Sequence, residues 1–360
     1  MCFAFIGRYL LYRIGLGLRP HVDPYVPWAT DAIGPLLNVP RRYFLQGQEN
    51  VPYGRPMIVC GNHSKLDDPL MIYHAGRLAT GGKLLLRVMT RIDYFTGFIF
   101  ENRLVAIVDF FACCGAYSID RDNVSLSQLK PFLKLLENGE GFIIFPGRTR
   151  TRSGVFIEYR DQFTEPGGIS FFVHQTQRKR PEVPVAALPV VRTHNPVTKR
   201  TSMIIGPPLY LDAAASREAL RTFDYDLVIG MSGLVELNLA QAASAALYLW
   251  CLHRGNAPLR IADLSHAVRT ALAETAHPYV NPEDLADPDR ALDQVLRWLA
   301  RCRCISIDGG TIRPNPRIIL GTPPLDTTYK KLNPVKYLAN QILHLGEVTA
   351  IVEREVLAIG

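Results

Sequence analysis

"MIVCGNH" (Met57–His63) decides how the rest of this chain is read. Four apolar residues run into a Gly-Asn pair, the pattern of a short, fully buried strand ending in a turn. Its neighbours repeat the alternation. "LSQLKPFLKLLENGE" (Leu126–Glu140) carries leucines at helical spacing and stops at Asn138-Gly139. "GFIIFP" (Gly141–Pro146) and "VPVAALPVV" (Val183–Val191) read as further buried strands, and "TSMIIGPPLYL" (Thr201–Leu211) as a fourth. Short apolar strands alternating with helices predict an α/β class, with a mostly parallel sheet and flanking helices.

Past about residue 222 the texture changes. "LVELNLAQAASAALYLWCLHRG" (Leu234–Gly255) reads as a long, largely buried helix ended by glycine. "RIADLSHAVRTALAE" (Arg260–Glu274) and "DPDRALDQVLRWLARCRC" (Asp287–Cys304) follow as two more helices. "ISIDGGTIRP" (Ile305–Pro314) then reads as a strand, a Gly-Gly turn and a strand. The expected division is an amphipathic segment over residues 1–40, an α/β domain over 41–222, and a mainly helical, winged-helix-like module with a tail over 223–360.

The opening "MCFAFIGRYLLYRIGLGL" (Met1–Leu18) is apolar but broken by Arg8 and Arg13. It lacks the layout of a signal peptide and the length of a spanning helix. It suits a helix lying at the headgroup level, or one packed on the protein's own core. The expected location is therefore peripheral, on the cytoplasmic side of a membrane.

A formal net charge of +7 favours acidic partners: nucleic acid, an anionic membrane surface or phosphorylated substrates. The winged-helix sketch over Leu234–Pro314 keeps nucleic acid in view. That region is not enriched in Lys or Arg, however, and "NPEDLADPDRALD" (Asn281–Asp293) is acidic, so no nucleic-acid partner is expected. The cysteines are odd in number at 7 and show no C-x-x-C spacing, which reads as reduced thiols without a metal.

In an open parallel sheet, ligands bind beyond the carboxyl ends of the strands, and His63 emerges there. Asp68 follows closely enough to accept a hydrogen bond from the imidazole, which makes His63 a candidate general base for a hydroxyl. No serine or cysteine nucleophile is obvious beside it, so that hydroxyl belongs to the substrate. "GAYSIDRD" places Arg121 beyond a second apolar run, and "FIIFPGRTRTRSG" places Arg148, Arg150 and Arg152 beyond a third. Alone, such a charge run is a solvated face. Beside a histidine base, forked guanidiniums with small neighbours suit phosphate oxygens.

This combination resembles the glycerophospholipid acyltransferases. "NHSKLDDP" looks like their N-H-x-x-x-x-D block, "GAYSIDR" like G-x-x-F-I-x-R, and "VPVAALPVV" like the fourth, Pro-containing block. "FPGRTRTRSG" is similar to the third block, nearest the glycerol-3-phosphate form F-V-E-G-G-R-S-R-T-G. The ending "NPVKYLANQILHL" (Asn333–Leu345) looks like the Y-Y-x-N-x-I-L-H tail of those enzymes. The departure is Gly147 where the family has glutamate, followed by Arg148 where it has glycine.

The resemblance implies transfer of a fatty acyl group from acyl-CoA or acyl carrier protein to the sn-1 hydroxyl of glycerol 3-phosphate. Lysophosphatidate or another lysophospholipid is the alternative acceptor. A catalytically inactive homologue and a nucleic-acid-binding protein are the readings outside that class. Under the resemblance His63 and Asp68 are catalytic, and Arg121, Arg150 and Arg152 hold the phosphate. Asn62, Ser64, Arg148, Ser153 and Gly154 support them, and the co-substrate replaces any cofactor.

Overall fold

The computed structural model describes residues 2–18, 31, 43–65, 67–91, 107–113, 115–120, 123–147, 150–156, 168–323 and 329–359. Seven strands form one sheet: β1 (Tyr43–Gln46), β2 (Met57–Gly61), β3 (Leu86–Arg91), β4 (Ala116–Ile119), β5 (Gly141–Ile144), β6 (Ala186–His194) and β7 (Thr201–Ile205). Their spatial order is β1-β7-β6-β2-β5-β3-β4. β6, β2, β5, β3 and β4 are mutually parallel, while β7 runs antiparallel to β6 and β1 lies parallel to β7.

β2 sits inside the sheet, and every one of its residues is buried. Period two then sends Met57 and Val59 to one face and Ile58 and Cys60 to the other. Among the described residues, six helices accompany the sheet: α1 (Cys2–Arg13), α2 (Asp68–Ala79), α3 (Ile107–Cys113), α4 (Leu126–Glu137), α5 (Gly168–Lys179) and α6 (Arg217–Ser232). α2 covers the Met57 face through Ile72, Tyr73 and Ala75. α4, α5 and α6 cover the other with Phe132, Phe172 and Leu227. The bare apolar runs of the sequence are thus explained by a sheet sandwiched between helices.

α6 spans residue 222, where the sequence placed a boundary; its Phe223, Leu227, Val228 and Met231 belong to the sheet core. A second core starts at Leu237. It comprises α7 (Leu239–Arg254), β8 (Leu259–Arg260), α8 (Ile261–Glu274), α9 (Pro282–Ala286), α10 (Pro288–Arg301), β9 (Ile305–Asp308), β10 (Thr311–Pro314), α11 (Pro316–Ile319), α12 (Tyr329–Leu332), α13 (Pro334–Ala339) and α14 (Gly346–Ala358).

The small sheet has the antiparallel order β8-β10-β9, and the chain passes through this region as helix, strand, three helices, strand, strand. α7 begins at Leu239 rather than Leu234 because Asn238 caps it: the Asn238 side chain accepts from Gln241 N and the Gln241 side chain from Asn238 N. The alanine-rich α7 is buried almost all round, the expected fate of a helix without a polar face.

The two cores are tied by charge. Arg200, 2% exposed, pairs with Glu236 at 2.9 Å and Glu283 at 3.0 Å, and its guanidinium lies 3.4 Å over the Phe44 ring. At the other end, α1 buries Tyr9 against Phe110 and Cys113 of α3. Ile6, Leu10 and Leu11 of α1, and Ile14 just beyond it, remain exposed, so one face of the helix packs while another presents an apolar stripe. Among the described residues, no helix is long and apolar enough to cross a membrane.

Candidate active site

Because β2 and β5 are parallel, the loops after their carboxyl ends leave the sheet on the same side. His63 lies two residues past β2. Asp68 is the first residue of α2, with Pro69 following, so its carboxylate sits at a helix N-terminus where negative charge is favoured. Asp68 has no solvent exposure. Its Oδ2 accepts the backbone N–H groups of Ser64 and Lys65, each at 2.6 Å, and lies 3.1 Å from His63 Nδ1. Its Oδ1 accepts from Arg192 Nη1 at 2.6 Å.

A buried carboxylate with a guanidinium partner is an acceptor on both oxygens, so His63 Nδ1 carries the proton and Nε2 keeps its lone pair. The Phe145 ring, just past β5, stacks beside the imidazole at 4.5 Å between centroids, 30° from parallel. This is a histidine held in one tautomer and one orientation, with its side chain 24% exposed.

The loop after β5 is bonded to the histidine. Thr151 N donates to His63 O at 2.8 Å, and Thr151 Oγ1 donates to Val155 O at 2.7 Å. Arg150 and Arg152, both half-buried, flank Thr151 and so belong to the same loop cluster as His63. Arg121 and Arg148 lie outside the described residues.

Three contacts from the C-terminal tail secure this loop: Tyr329 N donates to Arg152 O at 3.0 Å, Asn340 Nδ2 donates to Ser153 O at 2.9 Å, and the Tyr337 carbonyl lies against Gly154. Gly154 has φ +96°, and a Cβ there would collide with that carbonyl, which is why the position is glycine. Ser153 Oγ accepts from Val155 N at 3.3 Å.

Asn62 ties the start of this loop to β6 and also lines the cavity beside it. Its amide is spent on β6, accepting from Arg192 N at 2.8 Å and donating to Arg192 O at 2.9 Å. Ser64 contributes its backbone N–H to Asp68. A cavity of about 40 Å³ lies next to these loops, lined by residues that include Asn62, Ser64, Thr151, Arg192, His194 and Tyr337. Arg150 and Arg152 do not line it. His194 donates to or accepts from Thr201 Oγ1 at 2.8 Å, and burial, with Lys65, Lys330, Arg192 and Lys199 nearby, pushes its pKa down to about 2. Burial, with Asp68 close by, raises the Tyr337 phenol to about 12, so it stays neutral.

Arg192 and Tyr337 were not singled out from sequence. Arg192 directly follows the run "VPVAALPVV", and a charge next to a buried apolar run is the one signal that marks it. Tyr337 lay within the tail motif, but nothing local said that the tail reaches the site.

The Acyltransferase family model matches residues 42–187. Among solved structures, the 1-acyl-sn-glycerophosphate (LPA) acyltransferase PlsC from Thermotoga maritima is similar, with 18% identity and a TM-score of 0.40 over 65% of this chain and 90% of that one. No curated protein matches the chain. The matched span contains β2, His63, Asp68 and the Arg150–Arg152 loop, so this part of the chain is similar to the Acyltransferase family.

Proposed function

We propose that this acyltransferase moves a fatty acyl group from acyl-CoA or acyl carrier protein to the sn-1 hydroxyl of glycerol 3-phosphate. The observation that carries the reading is His63 held by Asp68 and tied through its carbonyl to the arginine loop. His63 Nε2 takes the proton of the acceptor hydroxyl while that oxygen attacks the thioester carbonyl. The tetrahedral intermediate expels the thiolate, which leaves as the thiol with the proton from the imidazolium. Asp68 stabilises the imidazolium between these steps. Arg150 and Arg152, helped by Arg121, hold the phosphate and so fix the hydroxyl in line with the base.

The second reading is a lysophosphatidate or other lysophospholipid acceptor, favoured by Gly147, which removes the third-block carboxylate. Purified protein is given labelled acyl-CoA with glycerol 3-phosphate or lysophosphatidate. Faster turnover on the first supports the main reading; turnover on lysophosphatidate alone replaces it. Peripheral attachment to a membrane through α1 belongs to the same proposal, since both the acyl donor's chain and the product are lipid.

A further inference from the structure

Arg192 is a charged residue that β6 buries at 2% exposure, 124 positions from the carboxylate it touches. The β2–β6 register pairs Gly61 with Val190, and β6 runs on past the end of β2, bringing Arg192 beside the loop that starts at Asn62. The Asn62 amide then clamps Arg192's backbone on both its N–H and its carbonyl. From that anchor, Nη1 reaches Asp68 Oδ1 at 2.6 Å and Asp67 Oδ1 at 2.9 Å.

Nε and Nη2 of the same guanidinium are buried without a hydrogen-bond partner among the described residues. Burying an arginine with two of its nitrogens unsatisfied is costly, and an apolar side chain would suit the strand better. What the arginine supplies is the contact with Asp68. Oδ2 is already committed to His63 and two backbone N–H groups, so Arg192 alone engages Oδ1 among the described residues. Without that contact, Oδ1 of the buried carboxylate loses its partner and the group is free to turn away from the imidazole.

Resting on the acyl-transfer reading above, we propose that Arg192 is a positioning residue: by holding the Asp68 carboxylate in place, it keeps His63 Nδ1 engaged and leaves Nε2 as the base.

The full-length chain is compared with R192Q, R192K, D68N and D68N/R192Q in acyl transfer. R192Q is expected to lower kcat about 10- to 100-fold, with KM for the acceptor changed less than about three-fold. R192K keeps the charge and recovers most of the loss. In the D68N background, adding R192Q costs less than about two-fold, because Arg192 acts through Asp68. An equal fold-loss in both backgrounds, or a loss carried by KM, overturns the proposal. Should R192Q fail to fold, R192K carries the same test, its smaller kcat loss vanishing on D68N.

A second readout needs no turnover. The hydrogen-bonded Nδ1–H proton of His63, identified by NMR from its absence in H63A, is expected to shift or vanish in R192Q and to persist in R192K. An unchanged signal in R192Q overturns the proposal. If instead the parent chain shows the signal, R192Q alters it, and no acyl group is transferred to either acceptor, it is the functional reading that fails.

Discussion

His63 and Asp68 divide one task through their hydrogen bonds. Asp68 spends both oxygens on donors, and His63 is left with one nitrogen for chemistry. His63→Ala in a folded protein is therefore expected to lower acyl transfer at least about 10³-fold, and Asp68→Asn about 10²- to 10⁴-fold, measured as kcat with labelled acyl-CoA. Activity within a few-fold of the parent removes the base.

His194 carries a separate, pH-linked prediction. Its folded pKa is pushed down to about 2, first by burial and then by surrounding cations, whereas the unfolded chain binds a proton below about 6.5. The unfolded state holds more protons between those limits, so this group costs stability as pH falls through that window, by up to about 1.4 kcal/mol per pH unit. The drop in urea midpoint between pH 7 and pH 4.5 is expected to be smaller in His194→Asn than in the parent. An identical drop would show that His194 titrates normally.

At the scale of elements, the loop Arg150–Phe156 is shaped by a partner far away in sequence. Gly154 takes a left-handed backbone against the Tyr337 carbonyl, and Asn340 bonds Ser153 O. Gly154→Ala is expected to cost about 1–3 kcal/mol in urea unfolding and to lower activity, since both the backbone conformation and the contact oppose a Cβ. Asn340→Ala removes one hydrogen bond, about 1 kcal/mol, and should raise KM for the phosphate acceptor more than it lowers kcat. A variant that leaves KM unchanged would detach the tail from acceptor binding.

Local reading served the elements themselves well. β2, α4, β5 and the β9–β10 hairpin lie where apolar period and Gly punctuation put them. β8 escaped because a two-residue strand carries no period, and α7 started late because the Asn238 cap outweighed the apolar residues before it.

The described residues form two cores tied through Arg200, with an exposed apolar stripe on α1. Deleting residues 1–18 removes the exposed Ile6, Leu10, Leu11, Ile14, Leu16 and Leu18. Co-sedimentation with anionic vesicles is expected to fall at least about five-fold, while turnover of water-soluble short-chain donors persists. Undiminished sedimentation would place the membrane contact elsewhere.

By itself the sequence determined the α/β class, the strand that leads into His63, the His63–Asp68 spacing and the charge of the following loops. All of these are local: period, turn residues and short spacing act within a few positions of one another. Tertiary structure alone decided that Arg192 meets Asp68 and that residues 329–341 brace the Arg150–Phe156 loop. Those contacts depend on parallel strand register and on the packing of two cores, and neither leaves a mark in neighbouring residues.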